Sequence, residues 1–583
     1  MFFAGLVFAA ELAGTLTGAD GEGIAGATVL AYDSRFQYGY ATTRNGGEWS
    51  IVGLPTDQYR LRFLPPNADP HGDRFYGGEW DACASEAVAL GEEEVRSGVD
   101  QALTVGATVF GRVVDLAGVP VPDLRVTAYG AEPRVSLIAR DATTDADGSF
   151  VITGLDAELS GSAFYVFVQG EGWPEQYLGQ TYSEFDSERG SFAAGSETDV
   201  GELALLDGIR VSGVISGPDG PVPSGSVFVY ATQQVLAATI GEDGSYSADG
   251  LPPGDVVAWA QSPGLATTYY PDADRPGGVL SVPNEGDDAT IDLSLPAEST
   301  LTLNFTGEGD LSEASVLVYN DTYSVGRGDG LTDDGSVTIF GMYPGDFYLY
   351  VYGEDGGFTS GFILDEEGER RVFSVSGATS YTLPLQLGAR LTGTITGDSG
   401  EPVYGASVSV TETTGEERRW TATTDRDGRY EVLGVDKTTV TIAVSYYWYC
   451  PTDRGWAPMW YDASRSAAAA GVLLVDNGDD FADLDIELPA DNDHDAMGDA
   501  WERENGLDTS RDDASEDPDL DGYTNAEEWQ LGSDPTDEAV AGECGGEGCG
   551  DGAGLLGVGA GLGAALAVRR RGAGPHTRRN HAA

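Results

Sequence analysis

The sequence predicts an all-β chain, built mainly of tandem β-sandwich repeats of seven strands each. Three observations lead there. The 583 residues include 83 Gly and 27 Pro, a turn-rich composition in which helical periodic runs are scarce. Segments such as Ala406-Ser-Val-Ser-Val-Thr411 alternate strictly between apolar and polar residues, so one face is buried and the other wet. One ordered set of landmarks also recurs along the chain.

Each unit opens on a strand, as in Thr108–Asp115, Val211–Ile215 and Leu391–Thr396. A Pro/Gly turn follows, at Gly118–Pro122, Gly220–Pro223 and Gly400–Val403, and then the alternating second strand. Next comes an acidic glycine turn: Asp145–Gly148, Glu242–Gly244, Asp333–Gly335, Asp425–Gly428, and Asn45–Gly47 in the first unit. Asp-Gly and Asn-Gly supply the positive φ of tight hairpins, so these turns need no metal. An aromatic-led strand begins at Trp49, Phe150, Tyr246 or Tyr430, and a Gly-Leu-Pro-like corner follows at Gly53, Gly154, Gly250 and Gly341. The units fall at 12–105, 106–207, 208–297, 298–388 and 389–490. Linkers this short predict a stiff rod of beads.

This order of landmarks resembles the carboxypeptidase regulatory-like domain, a transthyretin-like sandwich grouped with the starch-binding-like fold. The resemblance implies accessory, carbohydrate-contacting or spacer modules. The units are also similar to pilin-type B-repeats, some of which carry Lys–Asn isopeptide bonds. Lys437 is the only lysine of this chain, so at most one unit has the residue for such a bond.

The formal charge is −65, which repels nucleic acid and anionic membranes at long range and attracts divalent cations. The four cysteines make no disulfide framework. Cys83 and Cys450 can pair only if their distant units touch, and the expectation is that they are unpaired or buried. Met1 to Ala10, within a segment 1–11, reads as a truncated export signal. The histidines are His71, His494, His576 and His581, and no zinc-protease, nucleophile-elbow or phosphate-loop motif is present. The chain is therefore read as non-enzymatic. Aromatics are densest in the fifth unit, where Trp448, Trp456 and Trp460 are candidates for a glycan-stacking surface. Core packing is the competing reading.

Residues 491–538 carry the sharpest chemical signal. Asp517, Asp519 and Asp521, then Gly522, Tyr523, Asn525 and Glu528 match D-x-D-x-D-G-x5-E. That spacing gives Ca²⁺ the six to eight hard oxygens it takes, with Gly522 for the sharp turn, the Tyr523 carbonyl, and a bidentate Glu528. A second copy has Asp491, Asp493, Asp495, Met497, Asp499 and Glu502, with Ala496 where Gly is usual. Either the copy is weakened or its turn shifts to Gly498. Trp501, Leu507, Trp529 and Leu531 argue against a disordered acidic linker. The segment resembles the bacterial thrombospondin type-3 repeat, which implies a small calcium-dependent, loop-rich segment with little apolar core, folded by bound Ca²⁺.

A Gly/Cys spacer at 539–552 precedes a hydrophobic segment at 553–571 that ends in Arg569–Arg571, and a basic tail at 572–583. The arrangement resembles the MYXO-CTERM sorting tail. It implies a short C-terminal hydrophobic helix, processing near Cys549, and attachment to a membrane or outer surface. Taken together, the residues predict a cell-surface or secreted spacer or adhesion-type protein. Its expected partners are calcium and extracellular polysaccharide or surface proteins, with no nucleic acid. The alternatives are a carbohydrate-binding surface protein and an accessory to a secreted hydrolase.

Overall fold

The structure is a computed structural model. It describes residues 10–537 except 34–37, 80–81, 131–138, 156–162, 194, 272–277, 321–323, 329, 415–417 and 448–454. Met1 to Ala9, Trp448, Cys450, Cys549 and the whole tail lie outside the described residues. Among the described residues no helix is long and apolar enough to cross a membrane.

The chain folds as tandem β-sandwiches, each made of two facing sheets. In the fifth, Ala389–Gly397 is the central strand of the first sheet. Arg429–Val435 lies antiparallel to it on one side, and Asp480–Phe481 and Ile486–Leu488 run parallel to it on the other. The second sheet runs Arg419–Thr423, Ser407–Glu412, Thr438–Ser445 and Met459–Trp460, with Val472–Val475 sharing the last edge. The same order recurs around the central strands Glu11–Thr17, Ala107–Val114, Ile209–Gly217 and Ser299–Thr306. Alternation alone predicts antiparallel pairing, and the parallel last strand is the departure from it. The closing segment of each unit returns to the opening strand after crossing both sheets.

The buried faces are those the alternation marks. Ala406, Val408 and Val410 are fully buried, as are Val126 and Ala128, while Ser407 and Ser409 are only half-buried. The turn glycines Gly148, Gly244, Gly335 and Gly428 all have positive φ, between 74° and 84°. The threonine just before the turns of the first, second and fifth units has a structural task that its polarity hides. Thr424 is buried, accepts from the Ala406 N–H at 2.8 Å and donates to the Val403 carbonyl at 2.6 Å. Thr144 and Thr43 make the same two bonds in their units. A hydroxyl thereby satisfies backbone groups where the Pro/Gly turn leaves the ladder.

Glycines at the Gly-Leu-Pro-like corners hold consecutive units together. Gly154, Gly250, Gly341 and Gly434 have φ of 71°, 85°, 70° and 69°. A Cβ at Gly154 would lie 2.7 Å from the Asp69 carbonyl oxygen of the preceding unit, and one at Gly250 would lie 2.6 Å from the Gly172 backbone. At Gly434 it would lie 2.5 Å from the Phe358 carbonyl oxygen. The matching Gly53 of the first unit has φ 79° but nothing within 4 Å of that position. Close backbone approach between units therefore adds to the turn requirement.

The contacts do not describe an extended rod. Arg426, in the acidic turn of the fifth unit, donates to Asp33 at 2.6 Å and to Asp57 at 3.0 Å, both in the first unit. Its guanidinium also lies over the Tyr404 ring at 4.5 Å. The expectation of an unpaired cysteine is not met at Cys83, which is disulfide-bonded.

At the other boundary, Ala10 is buried in the first core and Glu11 opens its first strand. Both residues belong to the sandwich, within the segment 1–11 read as an export signal. The segment after the fifth unit contains two short helices, α1 (Asp499–Asn505) and α2 (Asn525–Leu531), each following one acidic loop. Each ends on a glycine in the left-handed region, Gly506 and Gly532. Thr524 and Glu527 form a capping box on α2.

Candidate metal centre

The two acidic loops adopt one conformation. In the first, Asp491 accepts from the Asp495 N–H at 3.2 Å and the Ala496 N–H at 3.0 Å. In the second, Asp517 accepts from the Leu520 N–H at 2.8 Å and the Gly522 N–H at 3.1 Å. His494 and Leu520, at the fourth position of each loop, have φ of 64° and 63°; Ala496 and Gly522, at the sixth, have 72° and 100°. The turn of the first loop thus stays at Ala496, while Gly498 has an ordinary φ of −93°. An alanine held in the left-handed region costs about 1–2 kcal/mol.

The inward oxygens of these loops are left without partners. Asp495 accepts from Met497 N–H through one oxygen, Asp519 from Asp521 N–H, and Asp521 from Tyr523 N–H. The second oxygen of each carboxylate is buried with no hydrogen bond. Both oxygens of Asp493, Glu502 and Glu528 are in the same state, as is the Asn525 Oδ1. Buried polar atoms in folded proteins are almost always paired, so this many orphans in one place ask for a cation. Ligand oxygens of Asp491, Asp493 and Asp495 lie within 4.8 Å of one another, and so do those of Asp517, Asp519 and Asp521. Oxygen-only donors suit a hard ion such as Ca²⁺.

A third cluster joins Asp495, Glu502 and Asp513, all buried. Asp513 lies outside the D-x-D-x-D spacing, which is why the motif misses it; the sequence marks it only as one of several acids between the loops. The structure ties it to both halves. Its carbonyl accepts from Asn525 Nδ2 at 2.9 Å, and its carboxylate ion-pairs with Arg511 at 3.5 Å. Asp499 is used differently from the other ligand candidates. It accepts from the Asn492 N–H at 2.9 Å and from the Asn492 side chain, and it pairs with Arg503 at 3.5 Å. Met497 buries its side chain, so only its backbone carbonyl is left for a ligand role, the same atom that the exposed Tyr523 offers.

Burial without a cation makes these carboxylates hard to ionise. It pushes Asp491 up to about 6, Asp495 up to about 7 and Glu502 up to about 8. The charges of Asp495, Asp493, Asp499 and Asp513 add to the effect on Glu502. Asp493, Asp519 and Glu528 are raised too, again chiefly by burial.

The segment does not fold on its own apolar residues. Met497, Trp501 and Trp529 belong to one buried cluster with the core of the fifth sandwich. Asp491, the first residue of the first loop, lies in a strand pair, Gly455–Trp456 against Ala490–Asp491. Arg465 of the fifth unit stands over the Trp529 ring at 3.9 Å. The first loop, through Met497, and the two helices share the apolar interior of a neighbour.

The aromatic candidates divide. Trp456 is 6% exposed and packed inside the fifth core, so it has no open ring face. Trp460 is half-buried on the second sheet opposite Ala443. In the third unit the matching place holds Tyr269, which completes a half-buried row with Phe228 and Trp259.

Residues 390–478 match the family described as carboxypeptidase regulatory-like domain. No curated protein matches the chain. Among solved structures, the chain is similar to a streptococcal ancillary pilin at 10% identity and a TM-score of 0.20, covering 49% of this chain and 99% of that one. It is similar to the Bacillus anthracis TIE protein at 12% identity and a TM-score of 0.16, covering 63% and 68%. The minor pilin of Streptococcus agalactiae gives 12% identity and a TM-score of 0.16, covering 30% and 95%.

Proposed function

We propose that this chain is a non-enzymatic, exported surface or adhesion-type protein whose C-terminal module is locked onto the fifth sandwich by bound Ca²⁺. One observation carries the reading: two similar loops each gather buried carboxylate oxygens that have no partner. Asp491, Asp493, Asp495, Glu502 and Asp513 would hold one ion, and Asp517, Asp519, Asp521 and Glu528 another. Calcium outside the cell is abundant enough to fill such sites, which favours an extracellular or surface address. The tail beyond residue 538, with Cys549, would serve sorting. Limited proteolysis of the whole chain tests the reading. Cleavage confined to 491–537 in EDTA and suppressed by Ca²⁺ supports it; the same cleavage pattern in both removes it.

A second reading, contact with polysaccharide, has one observation in its favour. Phe228, Trp259 and Tyr269 stack across the outer face of the third unit, with ring centroids 5.2 Å and 5.9 Å apart. Flat rings in a row suit the apolar faces of sugars. Trp259→Ala with unchanged retention on polysaccharide columns would remove this reading.

A further inference from the structure

We propose that the cleft between the third and fourth units takes an arginine side chain, carried on an extended segment of a partner protein. The cleft measures about 670 Å³. The third unit lines it with Ser226, Gln261, Ser262 and Thr267, and the fourth with Glu298 and Phe340. That volume holds one long side chain and the peptide on either side of it.

The cleft lies where the repeat changes. Ala107, Ile209, Ser299 and Ala389 share one register, opposite Leu155, Leu251, Met342 and Val435. The residues just before them are Gly106, Gly208, Glu298 and Gly388. At the three glycines a Cβ would lie 2.7 Å, 2.8 Å and 2.3 Å from the backbone of the corner glycines Gly154, Gly250 and Gly434. Those junctions leave no room for a side chain. The junction of the third and fourth units carries one, and the Glu298 carboxylate accepts from the Gly341 N–H at 2.7 Å. The two units are still fixed to each other. The Thr267 N–H donates to the Gly341 carbonyl at 2.9 Å, the Glu298 N–H donates to the Gly264 carbonyl at 3.2 Å, and the Thr268 and Tyr343 hydroxyls meet at 2.9 Å. The cleft is therefore formed before any ligand arrives, which lowers the cost of binding.

Its chemistry selects a flat cation. The lining holds one carboxylate and no basic residue, so an anion finds no partner there. Only one Glu298 oxygen is used within the chain, by Gly341. Phe340, the residue before Gly341, is 68% exposed. Thr153, Asp249 and Leu433 precede the other corner glycines, so none of those junctions offers a ring. A guanidinium suits both groups, since its N–H edge bonds a carboxylate and its plane lies on an aromatic face. This chain holds its own arginines in that way. Arg426 pairs with Asp33 and Asp57 while lying over Tyr404, and Arg370 lies over Phe362 at 3.9 Å. The net charge of −65 draws a basic partner in. The side chains of Ser226, Gln261, Ser262 and Thr267 make no hydrogen bond among the described residues, which leaves them for the backbone of the bound segment. The inference does not depend on calcium.

Saturation-transfer NMR on the full-length chain tests it, at about 0.15 M salt so that general attraction to an acidic surface is screened. The probes are the peptide Gly-Gly-Arg-Gly-Gly, its glutamine counterpart, and maltohexaose. The wild type should bind the arginine peptide and neither of the others. Glu298→Gln, whose amide oxygen still accepts from Gly341, and Phe340→Ala, at an exposed ring, should each bind it about tenfold more weakly. Glu242→Gln, in an exposed acidic turn of the third unit, should bind it as the wild type does. Absence of arginine-peptide binding overturns the proposal. Equal binding by the wild type and both cleft variants overturns it too, because the attraction is then general charge. Binding of the glutamine peptide or of maltohexaose as strong as that of the arginine peptide overturns the choice of a cation. Self-association in the ultracentrifuge that both cleft variants lose would give the cleft to a second copy of the chain instead.

Discussion

Trp501 and Trp529 meet edge to face, with ring centroids 5.3 Å apart and planes at 66°. Each comes from the helix that follows one acidic loop, and both are buried with the fifth sandwich. The helices that follow the two candidate sites therefore share one apolar contact. Trp529→Ala should cost about 3–5 kcal/mol, the usual loss for a buried tryptophan. Differential scanning calorimetry with Ca²⁺ present should show that loss in the transition of the module and fifth unit, with the other units unchanged.

Ala496 holds the left-handed position that Gly522 holds in the other loop. Ala496→Gly should remove about 1 kcal/mol of strain and tighten cation binding at that loop by roughly fivefold. Titration calorimetry on the variant reads this as a shift in one affinity. The change should leave the second site alone.

The pH dependence without metal should be inverted relative to ordinary acid denaturation. Asp491, Asp495 and Glu502 are raised in the folded chain, to about 6, 7 and 8, from about 4 in the unfolded chain. Between those values the folded state binds more protons, so stability falls as pH rises. The metal-free module should thus be most stable near pH 4 and lose stability up to about pH 8. Bound Ca²⁺ should reverse the trend, because it displaces those protons. Melting curves at pH 5 and pH 8, in EDTA and in Ca²⁺, check both signs.

Gly250→Ala should destabilise the junction between the second and third units by about 1–3 kcal/mol, since it adds a clash with the Gly172 backbone to a strained φ. Gly53→Ala carries the φ strain alone and should cost about 1 kcal/mol. Hydrogen exchange at the junction distinguishes them: protection falls around residues 172–174 only in the first variant.

What the sequence makes legible here is local. The alternation at Ala406–Thr411 names its buried face, and the acidic turns name their glycines, because both depend on neighbours a few residues away. The D-x-D-x-D spacing likewise marks both loops. The missed features depend on long-range contact. Asp513 has no place in the loop spacing and joins the cluster only because Asn525, 12 residues on, holds its carbonyl. Arg426 meets Asp33 across 393 residues, so no local pattern announces it. Trp456 looks like a spare aromatic beside Trp460 until the fold buries it. The two helices are seven residues each, too short for a periodic pattern to stand out among loop acids.

The orphaned carboxylate oxygens at 491–528 are the proposed cation ligands. Calorimetric titration of Ca²⁺ into the whole chain, beside its Asp519→Asn and Glu528→Gln variants, tests this most directly. At least two bound ions per wild-type chain are expected, with the loss of about one ion in each variant. A wild-type chain that takes up no Ca²⁺, or variants that bind as many ions as the wild type, would contradict it.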